Sequence, residues 1–235
     1  MTKVKFCGLR RPEDIEAVNE LGVDYAGFVF AKKSKRFVDP ETARKLKNML
    51  DPGITAVGVF VDESPEVVAG LVNEGIIDVP QLHGSEDDAY IARLRELLKP
   101  LKRNDPDADT KRSDGEEGRK SEKTTPEPCG RGAMRGQIIK AFKIMSEEDV
   151  KKAAFSTADM ILLDSGAGSG KEFDWALIGR VGRPFFLAGG LDADNARKAI
   201  EELEPYALDV SSGIETDGFK DKEKMTLFMK NINRK

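Results

Sequence analysis

The chain has 235 residues, of which 39% are hydrophobic and 34% charged, with a formal net charge of -4. That length holds one large α/β domain or two small ones, and the charge balance gives no global reason to expect nucleic acid or an anionic membrane as partner. No apolar run approaches the ~20 residues of a membrane span, and the N-terminus enters a strand-like segment with no signal-peptide pattern.

Cys7 and Cys129 are the two cysteines and form no C-x-x-C, which argues against a structural disulfide or a zinc site. His83 is the single histidine, so a metal site needing two or more imidazoles is excluded. A reducing cytoplasm fits this usage.

Apolar, β-branched runs begin at Lys3 (KVKFC), Tyr25 (YAGFVF), Ile54 (ITAVGVF), Ile77 (IDVPQLH), Gln137 (QIIKAF), Asp159 (DMILLD), Pro184 (PFFLAG) and Tyr206 (YALDVS). Helix-like stretches separate them. PEDIEAVNELG starts at Pro12, places Ile15, Val18 and Leu21 on one face and ends at Gly22. Asp39, Ser64, Ser146 and Asp192 are expected to be N-caps of later helices.

Strand–helix alternation implies parallel strands, and eight units imply a closed (β/α)8 TIM barrel. Run starts recur at roughly 22 to 29 residues, with one gap of about 60 between Ile77 and Gln137. The excess is a low-complexity charged insert at about 98–136, between the fourth and fifth βα units of an otherwise single domain over 1–235. Rich in both signs of charge, Pro, Gly, Ser and Thr, it has almost nothing to bury, so a disordered or loose surface loop is expected, with a partner-docking loop as the alternative. It leaves on the N-terminal face, whereas chemistry belongs at the C-terminal face. Cys129, inside it, reads as an incidental thiol.

Alternation along the first strand sends Val4 and Phe6 toward the helices and Lys5 and Cys7 into the barrel, with Cys7 at the mouth. A free cysteine is ordinarily a small buried hydrophobe. At a strand's C-terminal end, with the Lys5 ammonium near, a thiol pKa below the reference of about 8.5 is expected. The other reading of Lys5 is a charge neutralised by an inward carboxylate, and both can hold. Gly8 lets the backbone turn away without shielding the sulfur. Asp164 ends the sixth run and also reaches the mouth, where an isolated Asp is ordinarily an N-cap or loop acceptor but its pairing with Cys7 makes a candidate acid/base couple.

Glycine- and serine-rich turns follow the last three strands: Gly168, Ser169 and Gly170; Gly189 and Gly190; Ser211, Ser212 and Gly213. GAGSGK matches neither a Walker A spacing nor G-x-G-x-x-G. Together the three turns gather bare N–H groups and hydroxyls in the quadrant where many such barrels hold a substrate phosphate, with GIETDGFKDKEKM able to add a short turn. Arg36 is a candidate partner for a substrate anion, against a bland reading as one charge in a basic loop. Gln81 and His83 share a face at the end of the fourth strand and are candidates for substrate binding, against a reading of His83 as a hydrogen-bonded structural residue.

KFCGL, GFVF with KSKRFV, VGVFV, QLHGSE, LLDS with GSGKEFDW, LAGGL with NARKAI, and DVSSGIE with GFKDKEKM occur in this order, each at a strand end. In this combination the chain resembles the phosphoribosylanthranilate isomerase family of tryptophan biosynthesis, over all but about residues 98–136. The resemblance implies an Amadori rearrangement of N-(5-phosphoribosyl)anthranilate to 1-(2-carboxyphenylamino)-1-deoxyribulose 5-phosphate, without metal or redox cofactor. It implies Cys7 as general base, Asp164 as general acid and Arg36 at the anthranilate end. It assigns the turns at Gly168–Gly170, Gly189–Gly190 and Ser211–Gly213 to the phosphate. Asp209, inside DVSSG, is expected to point inward with its role open. The partner expected is a small phosphosugar, with no nucleic acid and no membrane, and the chain is a monomer or a homodimer.

Two neighbouring enzymes fit less well. The histidine-pathway sugar isomerase resembles a two-carboxylate mechanism, whereas the first strand here ends in Cys7. Indole-glycerol-phosphate synthase would want catalytic Lys and Glu at strand ends, which LLDS does not supply. A non-catalytic phosphosugar-binding barrel is the reading from a different class, and the presence of both Cys7 and Asp164 weighs against it.

Overall fold

The computed structural model describes residues 1–99, 136–164, 178 and 181–232. Residues 100–135, with Cys129 and most of the charged segment, lie outside the described residues, and so do Gly168, Ser169 and Gly170.

Eight parallel strands close into a barrel in sequence order: β1 (Lys3–Cys7), β2 (Tyr25–Val29), β3 (Thr55–Phe60), β4 (Val79–Leu82), β5 (Ile139–Lys143), β6 (Met160–Asp164), β7 (Phe185–Ala188) and β8 (Ala207–Val210). The (β/α)8 fold expected from the spacing of the runs is the fold observed. Five helices cover the first half and the fifth unit: α1 (Pro12–Leu21), α2 (Pro40–Met49), α3 (Pro65–Asn73), α4 (Asp88–Leu97) and α5 (Glu147–Phe155). Helices α6 (Ala196–Leu203) and α7 (Lys222–Ile232) follow β7 and β8. A two-strand hairpin, β9 (Glu215–Thr216) with β10 (Phe219–Lys220), stands between β8 and α7.

Local chemistry sets the helix starts. Asp39, Ser64 and Ser146 accept backbone N–H bonds from Thr42, Val67 and Asp149, and Pro12, Pro40 and Pro65 occupy first turns, where a missing N–H costs nothing. Asp192, the fourth expected cap, accepts from the N–H groups of Asp194 and Asn195 while Asn195 Oδ1 accepts from Asp192 N–H, and Asp192 O accepts from Ala196 N–H, so the capped turn leads directly into α6.

Period-two alternation divides the core. Val4, Phe6, Phe28 and Phe60 pack outward against helices, Phe6 edge-on to Phe228 of α7 at 5.8 Å between centroids. Tyr25, Val57, Val79, Ile139, Leu162 and Phe186 fill the interior. Closure brings β8 beside β1 with Lys5 opposite Asp209, so these two charged side chains meet by register.

Candidate active site

Strand ends deliver the polar residues to one place. A cavity of about 340 Å³ opens at the C-terminal ends of the strands. Cys7 from β1, Gln81 and His83 from the end of β4, Asp164 from β6 and Asp209 from β8 line it. Arg36 from the loop after β2, Gly189 and Gly190 after β7, and Ser211 and Ser212 after β8 complete its polar wall. The rest is small and apolar: Val29, Ala31, Val59, Val61, Ala188 and Leu191. Gly213 lies in the adjoining 3₁₀ turn, Ser212–Ile214, where a short turn was expected.

Two glycines make room for the sulfur and the guanidinium. Gly27 is the register partner of Cys7 on β2, and a Cβ there would lie 2.8 Å from Cys7 Sγ. Gly8 has φ +85°, and a Cβ on it would lie 2.4 Å from Arg36 Cδ. The glycine after the cysteine therefore turns the chain and also gives the Arg36 stem its path.

The electrostatics of Cys7 differ from the sequence-based expectation. Burial pushes the thiol up, and the Lys5 ammonium, which pulls the other way, does not overcome it. Lys5 is fully buried and donates to Asp209 Oδ2 at 2.8 Å. Burial is the largest single influence and opposes the Lys5 charge, but Asp209 and Cys7 together outweigh it, and the Lys5 pKa stands above the ordinary value. The neutralised-charge reading of Lys5 thus describes the structure.

Asp164 Oδ2 lies 3.5 Å from His83 Nε2, and His83 Nδ1 is 3.3 Å from Gln81 Nε2. The peptide around His83 is clamped from outside the barrel. Lys140 Nζ donates to Gly84 O at 2.7 Å and to Glu86 Oε2 at 3.0 Å, while Glu86 accepts from the N–H groups of Gly84 and Asp62. Gln81 Oε1 and Asp209 Oδ1 are buried acceptors with no hydrogen-bond partner among the described residues. Such oxygens are costly unless a ligand or water donates to them. Ser211 Oγ is already committed, donating to Cys7 O at 3.0 Å.

A family model for N-(5'-phosphoribosyl)anthranilate (PRA) isomerase matches residues 4–124 and 131–231. The chain belongs to the N-(5'-phosphoribosyl)anthranilate isomerase family. The family's enzyme from Acetivibrio thermocellus is 40% identical over 240 residues, covering 99% of this chain and 96% of that one. Phosphoribosyl anthranilate isomerase from Thermotoga maritima superposes with a TM-score of 0.77 at 33% identity, over 99% of this chain and 98% of the other. A solved structure of phosphoribosyl anthranilate isomerase in complex with reduced 1-(o-carboxyphenylamino)-1-deoxyribulose 5-phosphate superposes with a TM-score of 0.75 at 32% identity, over 99% of this chain and 98% of the other.

Cys7, Arg36 and Asp164, expected at the strand ends of a phosphoribosylanthranilate isomerase, line one cavity, and two residues outside that expectation hold its wall. Glu215 grips Arg36 through both carboxylate oxygens, and Lys220 bridges Glu215 to Ser211. Their signal was the Asp217–Gly218 pair, with φ of 50° and 78°, the turn chemistry of a two-residue hairpin. Among the described residues no helix is long and apolar enough to cross a membrane, and no cluster of three or more His, Cys, Asp or Glu is placed to hold a metal.

Proposed function

We propose that Cys7 is the general base and Asp164 the general acid of the family's reaction, the Amadori rearrangement of N-(5'-phosphoribosyl)anthranilate to 1-(2-carboxyphenylamino)-1-deoxyribulose 5-phosphate. One observation carries this reading: a thiol and a carboxyl group line one cavity, with a guanidinium and glycine- and serine-rich turns in its walls.

Asp164, protonated, donates to the ring oxygen as the C1'–O4' bond breaks and the nitrogen lone pair forms C1'=N. The resulting iminium acidifies the C2' proton, which the Cys7 thiolate removes, and the electron pair moves to C1'=C2'. Tautomerisation makes C2' a carbonyl and returns a proton to C1'. A thiol held up by burial is seldom ionised at neutral pH, but it is the stronger base once ionised. The reacting form of the free enzyme is therefore its thiolate fraction, whose charge the iminium then stabilises.

Arg36 takes the anthranilate carboxylate and the apolar wall takes the aryl ring. Gln81 Oε1 and Asp209 Oδ1 accept from ribose hydroxyls, which supply the donors they lack. Gly168 to Gly170, Gly189, Gly190, and the Ser211–Gly213 turn hold the phosphate, whose binding energy positions carbons far from it. For Ser211 the contribution is backbone, since its hydroxyl is bound to Cys7 O. His83 orients Asp164. The chain works in the cytoplasm as a monomer or homodimer.

Turnover followed by anthranilate fluorescence tests the assignment. Cys7→Ala and Asp164→Ala each lower kcat by about 10²–10⁴-fold, with circular dichroism and melting unchanged. The wild-type pH profile of kcat/KM is bell-shaped, because one group must be ionised and the other protonated. Near-normal kcat in purified, folded Cys7→Ala overturns the base. Saturable binding of the phosphosugar without turnover by the wild-type chain would favour a binding protein.

A further inference from the structure

We propose that Glu215 is a positioning residue that aims Arg36 at the substrate's carboxylate, and that Lys220 keeps this pair attractive to an anion while tying it to the phosphate-side loop. This rests on the reading of the cavity above and deepens it at the aryl end.

Glu215 opens the β9–β10 hairpin and carries out no step of the reaction. Arg36 Nε donates to its Oε1 at 2.7 Å and Arg36 Nη2 to its Oε2 at 2.6 Å. This parallel pair fixes the guanidinium plane as well as its position. The stem is fixed separately, where it passes over Gly8. An arginine held at both stem and head has its rotamer set before the ligand arrives, so little is lost on binding. Arg36 has five donors, and the Nη1 edge makes no hydrogen bond among the described residues. A planar carboxylate can therefore bind Arg36 without displacing Glu215.

An Arg–Glu pair by itself is close to neutral and would draw an anion weakly. Lys220 changes that sum. Its Nζ donates to Glu215 Oε1 at 2.7 Å, so two cations share one carboxylate and a net positive charge remains at the cavity wall. Burial pulls the Lys220 pKa down, against the pull of Glu215, while Arg36 and Lys220 overcome burial to hold the Glu215 carboxyl at about 2. Lys220 Nζ also donates to Ser211 O at 2.8 Å, and Ser211 Oγ donates to Cys7 O at 3.0 Å. One run of hydrogen bonds thus joins the arginine at the aryl end, the loop at the phosphate end and the backbone of the cysteine.

The test is equilibrium binding of two Amadori products, 1-(2-carboxyphenylamino)-1-deoxyribulose 5-phosphate and its 1-phenylamino analogue lacking the carboxylate. Wild type, Arg36→Met, Glu215→Gln and Glu215→Asp are compared. Wild type prefers the carboxylated ligand by about tenfold or more, and Arg36→Met abolishes the preference. Glu215→Gln loses most of the preference while its affinity for the analogue stays within about twofold of wild type, and Glu215→Asp, which keeps the charge, restores part of it. If Glu215→Gln does not fold, Glu215→Asp alone decides: a reduced preference with analogue affinity kept supports the proposal, and an unchanged preference overturns it. Equal weakening of both ligands in Glu215→Gln gives the residue a structural role only and overturns the proposal with the reading of Arg36 intact. Absence of any preference in wild type overturns that reading, and the proposal with it.

Discussion

At the N-terminal ends of its strands the barrel interior is aromatic and sealed, and at the C-terminal ends it is small, polar and open. Below, Tyr25 and Phe186 pack edge to face at 5.3 Å, Tyr206 closes on Phe186 at 5.6 Å, and the two tyrosine hydroxyls lie 3.0 Å apart. The Lys3 ammonium sits over both tyrosine rings, 5.6 Å and 5.2 Å from their centroids. Two residues further along the same strands, Tyr25 gives way to Gly27, Phe186 to Ala188 and Lys5 to Cys7. The cavity is what remains when large interior side chains end one layer early. One end carries packing and the other carries chemistry, and substitutions separate the two.

The largest effect expected on the sealed end is that of Phe186→Ala. The ring is fully buried between two aromatic neighbours, and its removal costs about 3–5 kcal/mol of stability. Urea unfolding measures the loss. At a temperature where the variant is folded, kcat and KM stay within a few-fold of wild type. A collapse of kcat in folded protein would mean that the floor also shapes the chemistry.

Gly27→Ala is the reciprocal change at the open end. The added Cβ meets Cys7 at 2.8 Å from Sγ and 2.9 Å from Cα, and the backbone Cα cannot swing aside. Overpacking costs about 1–3 kcal/mol, and the displaced sulfur costs kcat about 10²-fold. Steady-state kinetics with a melting curve compare the two losses. Unaltered kcat with lowered stability would place the sulfur outside the reacting geometry.

The sequence made the division between the two ends visible, because it depends on alternation. Val4 and Phe6 outward, Lys5 and Cys7 inward, follows from a period of two and needs no partner. The Lys5–Asp209 pair was not visible, since it joins residues that only barrel closure brings side by side. The same holds for Arg36 with Glu215, a bond between two loops whose strands, β2 and β8, flank β1. Short-range signals do mark Asp192, which caps the turn into α6, and Asp217–Gly218, the turn of the β9–β10 hairpin. The Cys7 thiol follows the same rule: how far a neighbouring ammonium lowers a thiol pKa depends on what neutralises that ammonium and on how dry the site is, and neither Asp209 nor burial is local in sequence.

That dependence sharpens into the smallest of the expected effects, a displaced titration. Burial and the Asp209 charge favour the neutral thiol, while Lys5 and Lys220 favour thiolate, and the first side prevails. Only thiolate reacts with iodoacetamide, so a raised pKa means a small reactive fraction at neutral pH that grows as pH rises. The alkylation rate of Cys7, followed by mass spectrometry of its own peptide to separate it from Cys129, therefore has its midpoint above the value of about 8.5 for a free thiol. Occupancy of the cavity by the phosphosugar product slows the reaction at every pH without requiring a change in the midpoint of the free enzyme. A midpoint below 8.5 would mean that the Lys5 charge reaches the sulfur in spite of Asp209. The open end would then hold a standing thiolate instead of a mostly neutral thiol whose minor thiolate fraction reacts.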